Sequence, residues 1–177
     1  MPTSLVLTVI GEDKPGIVEH IADLVLAAGA NWQESRMARL AGRFAGILRV
    51  DVDSTRAAQL ESALRNLESR GLRIVVESGT VVEDTPVRVI RLEVVGHDRP
   101  GIVRDISRVL AERGINIEEL ETEVTSAPDS GDTLFRARAR LAMPPAISID
   151  TLRTLLESLA LDLMVDVTVE GPVAAAE

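Results

Sequence analysis

One ten-residue segment occurs twice in this chain. Val9-Ile10-Gly11-Glu12-Asp13-Lys14-Pro15-Gly16-Ile17-Val18 returns as Val94-Val95-Gly96-His97-Asp98-Arg99-Pro100-Gly101-Ile102-Val103, offset by 85. The same offset relates Ile21 to Ile106, Gly29 to Gly114 and Asn31 to Asn116. Past an insertion in the second copy it becomes 91 or 92, aligning Phe44/Phe135, Leu60/Leu152, Leu64/Leu156 and Leu67/Leu159. Two copies of this length make a duplicated domain, whereas a solenoid needs many shorter repeats. Domains are therefore expected at residues 1–80 and 86–172, joined by the linker Glu77–Thr85, with Pro86 opening the second.

Each copy reads β-α-β-β-α-β. Leu5–Ile10 and Val87–Val95 are apolar or alternating runs suited to strands. Pro15 and Pro100 fit the first turn of a helix, where a missing N–H costs nothing. Ile17, Ile21, Leu24 and Ala28 then follow helical spacing, as do Ile102, Ile106, Val109 and Leu110. Gly29 and Gly114 are placed to end those helices at positive φ. Strands are expected near 31–39 and 116–125, hairpins at Ala41-Gly42 and Ser126–Asp132, and strands near 43–52 and 133–142. Second helices begin near Ser54/Thr55 and Ser148/Asp150 and carry Leu60, Leu64 and Leu67, or Leu152, Leu156 and Leu159, inward. Final strands fall near 72–78 and 161–170. Two helices on one four-stranded antiparallel sheet make an α+β, ferredoxin-like βαββαβ sandwich with one sheet face open.

That open face is partly legible. Glu119, Glu121 and Glu123 alternate along one strand of the second copy, and Arg136, Arg138 and Arg140 along the next. A hairpin centred between Asp129 and Ser130 sets them opposite one another as a self-neutralising ladder, the alternative being an anion-binding patch. The first copy keeps only Glu34/Arg49 and otherwise has Trp32, Arg36, Ala38, Ala45 and Ile47. Trp32 shares its parity with Glu34 and Arg36, so it is expected on this face. So apolar a surface calls for cover by the other domain or by another chain, a homo-oligomer included.

Charge and composition narrow the partners. The 177 residues hold 19 Lys+Arg against 28 Asp+Glu, a net charge of −9; the stretches up to and after Thr85 carry −3 and −6. Neither has the basic surplus that phosphate neutralisation requires, so no direct nucleic-acid binding and no membrane-surface role are expected. Trp32, Phe44 and Phe135 are too few for base-stacking platforms. The absence of cysteine removes thiol catalysis, disulfides and cysteine-ligated metals. No apolar run approaches the length of a membrane span, and Met1-Pro2-Thr3-Ser4 has no basic n-region of a signal peptide; a cytoplasmic protein is expected.

The repeated Asp-Lys/Arg-Pro-Gly-Ile-Val segment stands at a strand-to-helix junction. Backbone N–H groups of Gly16, Ile17 and Val18, and of Gly101, Ile102 and Val103, are free there at the positive end of a helix dipole. They can hold a carboxylate. Asp13 and Asp98 can accept from an ammonium group, while Asn31 and Asn116 both donate and accept. Together these groups complement a zwitterion, though each also has a use in capping or turn geometry. No nucleophile–base pair, Walker loop or Gly-x-Gly-x-x-Gly occurs. His20 reads as a surface residue, and Asp51 with Asp53 as a solvated strand end; neither supports a metal site, and no cofactor is expected.

Strand, Asp-x-Pro-Gly-Ile-Val, amphipathic helix and Gly-x-Asn, found twice, resemble the ACT domain, the small regulatory module of amino-acid metabolism. A chain of two such modules is similar to the glycine cleavage system transcriptional repressor family. The resemblance implies a non-enzymatic amino-acid sensor, with glycine or serine as first ligands and a protein partner such as a transcription factor. It also implies an interface site between modules that uses Gly11, Asp13, Pro15, Gly16, Ile17, Val18 and Asn31, and Gly96, Asp98, Pro100, Gly101, Ile102, Val103 and Asn116. Some ACT domains carry a polar residue where Gly11 and Gly96 stand. Two other readings use the same fold: a structural or assembly module with degenerate sites, and an acylphosphatase-like hydrolase. Asp13 and Asp98 argue against the second by repelling phosphate.

Overall fold

The computed structural model describes residues 2–79, 87–126 and 131–171. The chain divides into two compact units, Met1–Glu83 and Asp84–Glu177. The first comprises β1 (Pro2–Glu12), α1 (Ile17–Ala27), β2 (Asn31–Leu40), β3 (Arg43–Asp53), α2 (Ser54–Arg65), a 3₁₀ turn (Asn66–Arg70) and β4 (Leu72–Ser78). The second comprises β5 (Arg88–His97), α3 (Ile102–Ala111), β6 (Asn116–Ser126), β7 (Thr133–Met143), α4 (Ile149–Leu163) and β8 (Val165–Glu170). Both sheets are antiparallel, with strand orders β2-β3-β1-β4 and β6-β7-β5-β8. This is the expected ferredoxin-like α+β fold, present twice.

Each unit has its own core. In the first, Leu7, Val9, Leu48 and Val50 from the sheet meet Ile21, Val25, Leu60 and Leu64 from the helices. In the second, Ile90, Leu92, Val94 and Leu141 meet Ile106, Leu110, Leu152 and Leu156. No polar or charged residue is buried among the described residues. The glycine stops behave as read: Gly29 and Gly114 have φ of 64° and 66°. Ala30 N–H donates to Val25 O and Gly29 N–H to Leu26 O, with matching bonds from Ile115 to Leu110 and from Gly114 to Ala111. These are Schellman closures. The Ala41-Gly42 hairpin puts both residues at positive φ, as a type I′ turn requires. The tip of the second hairpin and most of the linker lie outside the described residues.

Several expectations change. Pro15 and Pro100 precede the helices; the N-caps are Gly16 and Gly101, so each proline shapes the approach and not the first helical turn. The N-cap of α2 is Asp53, whose carboxylate accepts from the amide and hydroxyl of Thr55. Helix α4 continues to Leu163 before Met164 turns at φ 51°, so β8 starts at Val165 and not near 161. Burial at 152, 156, 160 and 163 shows why: the helical period persists through the segment expected to be strand. Leu67 is buried from the 3₁₀ turn and not from α2. Gly79 N–H donates to Ser4 O, so the chain stays tied to the sheet beyond Glu77, where the linker was expected to begin.

The largest correction concerns Trp32. A β-bulge between Trp32 and Glu34, with Gln33 as the extra residue, reverses the parity of the strand start. Trp32 therefore pairs with buried Val50 and packs, half-buried, against the helix-side core. It is not on the open face. The open face keeps Ile10, Ile47 and Val75, exposed by 42%, 49% and 44%, so its apolar character survives without the indole. Because Trp32 packs against the core of the first unit, its emission is expected to be blue-shifted in the native protein and to move red on unfolding in urea. A water-exposed emission maximum in the native state would contradict this packing.

Ser148 caps α4 through a 3.0 Å bond from Thr151 N–H. Ser148→Ala is expected to cost about 1 kcal/mol, read as a lower urea midpoint at unchanged m-value.

Candidate functional site

The two Asp-x-Pro-Gly loops are built alike. Asp13 N–H donates to Gly42 O (3.0 Å), and Asp98 N–H to Thr133 O (2.9 Å), so each loop is pinned to the hairpin beside it. The chain then turns through Gly16 at φ 90° or Gly101 at φ 101°, in the left-handed region that disfavours a side chain. The first intrahelical bonds run from His20 N–H to Gly16 O and from Asp105 N–H to Gly101 O. Neither N-cap supplies a side-chain hydrogen bond. The amides ahead of those bonds, at Ile17 and Val18 and at Ile102 and Val103, thus remain as donors at a helix N-terminus.

The surroundings differ. In the first unit His20 Nδ1 bonds Gly16 O, Lys14 pairs with Glu12 at 2.8 Å, and Arg39 Nε reaches Asp13 Oδ2 at 2.7 Å. Lys14, through its hydrogen bond, holds the Glu12 carboxyl below its usual range. In the second unit Asp105 stands where His20 does; its hydrogen bond from Arg104 lowers its pKa, and Arg108 adds to this from 3.9 Å. Arg99 turns toward the end of α4, donating to Asp162 O at 3.2 Å. The Asp98 carboxylate has no hydrogen-bond or ion-pair partner among the described residues.

Gly11 and Gly96 have a different reason to be glycine. A Cβ at Gly11 would meet Leu72 Cδ2 at 2.6 Å and Gly71 O at 2.8 Å; one at Gly96 would meet Val165 Cγ1 at 2.6 Å and Met164 O at 3.0 Å. Backbone crowding from β4 and β8 leaves no room for the polar side chain that some ACT domains carry there.

Asn31 and Asn116 do not join the loops of their own units. Asn31 is level with Asp51 and Ser4, whereas the loop leaves β1 after Glu12, paired with Arg43. The eight residues between Ser4 and Glu12 span about 26 Å at roughly 3.3 Å per residue. Asn116, level with Ala142 and Val89, is likewise at the far end from Asp98. One small ligand therefore cannot touch both groups of a single unit.

The charged ladder forms in the expected register: Glu119, Glu121 and Glu123 lie opposite Arg140, Arg138 and Arg136. The contacts are shuffled, however. Arg136 lies 3.6 Å from Glu123, Arg138 reaches Glu93 at 3.3 Å, and Arg140 takes Glu118, the bulge residue, at 2.8 Å. Sequence reading missed Glu118 because it assumed an unbroken two-residue period, and Glu93 because it paired the arginine strand with β6 alone. A shallow groove of about 420 Å³ on this face contains none of the loop residues. Asp51 accepts from Gln33, and no cluster of three metal-ligating side chains occurs among the described residues. No helix among them is long and apolar enough to cross a membrane.

Comparison with known proteins agrees with the fold. Models of the ACT domain match residues 3–77 and 90–140. The chain belongs to the ACT-domain family, as a tandem of two such modules. A crystal structure of an unknown protein from Galdieria sulphuraria is 35% identical, with 98% of this chain and 100% of that one covered and a TM-score of 0.87. A candidate glycine cleavage system transcriptional repressor shares the fold at 20% identity and a TM-score of 0.73, with 96% and 97% covered. No protein of curated function matches. ACT domains generally bind amino acids.

Because φ is 101° at Gly101, Gly101→Ala is expected to destabilise the second unit by about 1–2 kcal/mol, whatever the ligand does. Gly16→Ala also brings the new Cβ to 3.4 Å from the His20 ring. Loop-glycine substitutions are accordingly read by thermal melts, not as clean probes of ligand approach.

Proposed function

We propose that this chain is a non-enzymatic, cytoplasmic amino-acid sensor that regulates through a protein partner such as a transcription factor. The observation that carries the reading is the loop itself: in both ACT modules an uncapped helix N-terminus stands next to an aspartate. Backbone amides of Gly16, Ile17 and Val18, or of Gly101, Ile102 and Val103, take the carboxylate, while Asp13 or Asp98 takes the ammonium. Pro15 and Pro100 stiffen the approach. Asn31 or Asn116 joins such a site only when its loop comes from a different ACT module.

Glycine and serine are the first ligands to try, on the strength of the repressor-like neighbour's name. Both halves of the chain carry net negative charge, −3 and −6, which disfavours reading DNA directly, so regulation passes through protein contact. The amino acid exerts control by binding one state of the protein better than another.

Calorimetric titration of the full chain with each of the twenty amino acids tests the binding. Asp98→Ala removes a hydrogen bond to a charged group, worth about 1.5–3 kcal/mol. Affinity is therefore expected to fall by roughly tenfold to 150-fold. A pull-down from native extract with and without the bound amino acid tests the output: the captured partner is expected to change with ligand. Capture indifferent to every amino acid would mark the chain as an assembly module.

A further inference from the structure

We infer that the two loops are not equivalent amino-acid sites: the second is open to an external ligand, and Arg39 closes the first. The inference rests on the amino-acid reading above and assigns it to one of two loops. In the first unit the guanidinium of Arg39 already occupies the place of a ligand ammonium, with Nε 2.7 Å from Asp13 Oδ2. The second unit has the same backbone frame. Arg39 pairs with Phe44 on β3, and the residue paired with Phe135 on β7 is Val124. The aspartates are fixed to corresponding hairpin carbonyls, Gly42 O and Thr133 O. Val124 thus stands where Arg39 does and carries no charge.

No other described residue of the second unit replaces the missing cation. Arg99 is drawn to Asp162 O and Arg104 to Asp105, which leaves the Asp98 carboxylate without a partner among the described residues. An incoming ammonium finds an unneutralised carboxylate, with exposed Val124 at the register position that Arg39 holds in the first unit. At the first loop it must displace an arginine tethered to the neighbouring strand. Arg39 is exposed, so the closure is a competition and not a seal. This makes residue 39/124 the position that decides which module senses.

Isothermal titration calorimetry of the full chain with each of the twenty amino acids, followed by four variants with any that binds, tests the assignment. In the wild type one tighter site per chain is expected at the second loop, the first binding about threefold to tenfold more weakly. Asp98→Asn is expected to weaken the tighter site at least tenfold, and Asp13→Asn to change that tighter site by less than twofold. Val124→Arg is expected to weaken the tighter site about threefold to tenfold, and Arg39→Val to strengthen the first site by a similar factor. Two equal sites in the wild type, or binding that follows Asp13 and not Asp98, or an unchanged affinity in Val124→Arg, overturns the asymmetry and leaves the amino-acid reading standing. Absence of heat with all twenty amino acids overturns that reading, and the asymmetry with it.

Discussion

A left-handed glycine at the head of the first helix governs each unit. Gly16 and Gly101 turn the chain back over the sheet at φ 90° and 101°, which lets Ile17 or Ile102 enter the core one residue later. The same turn puts the helix start beside an aspartate with no side chain to cap it. A capping serine in the glycine's place would satisfy a free amide but would occupy a conformation costly for any side chain. Fold and candidate site therefore share one geometric requirement. This is also why the loop stands out in the sequence as the longest matching stretch of the repeat.

The repeat and its two periodicities sufficed for the order of elements, helix faces and the register of the charged ladder, because burial enforces them along most of each element. They failed where one residue departs from the period. Gln33 and Glu118 are such residues, and polar side chains in an otherwise alternating edge strand give no sign of a bulge. One inserted residue carried Trp32 from the open face to the side that packs against the core. The strand expected over 161–164 failed for a related reason: Leu161 and Leu163 suit a strand as well as a helix, and only the buried series from Leu152 decides between them.

The site was legible in part for the same reasons. Loop residues adjacent in sequence, from Asp13 to Val18, stay adjacent in space. Asn31 is close to the loop in neither respect once the helix is laid back along the sheet. The Arg39–Asp13 contact joins residues from two elements, and its absence in the second unit becomes visible only when strand pairing aligns Arg39 with Val124.

The two copies diverge by rules that differ with depth. At one half-buried pair the changes compensate: Met37 lies across from Gly46, whose missing Cβ leaves space for the Met37 side chain, and the corresponding pair in the second unit is exposed Thr122 and buried Ala137. A larger residue on one strand is met by a smaller one opposite, which keeps the volume of the pair. Outside, changes are of chemical class. Ile47 stands opposite Arg36 where the second sheet pairs Arg138 with Glu121, and Arg39 faces Asp13 where the second unit has Val124. Compensated substitutions preserve a fold; uncompensated ones alter what a surface can attract. The uncompensated differences between these modules are therefore where their surfaces diverge in chemistry, and the one at Arg39/Val124 stands beside the loop both copies retain.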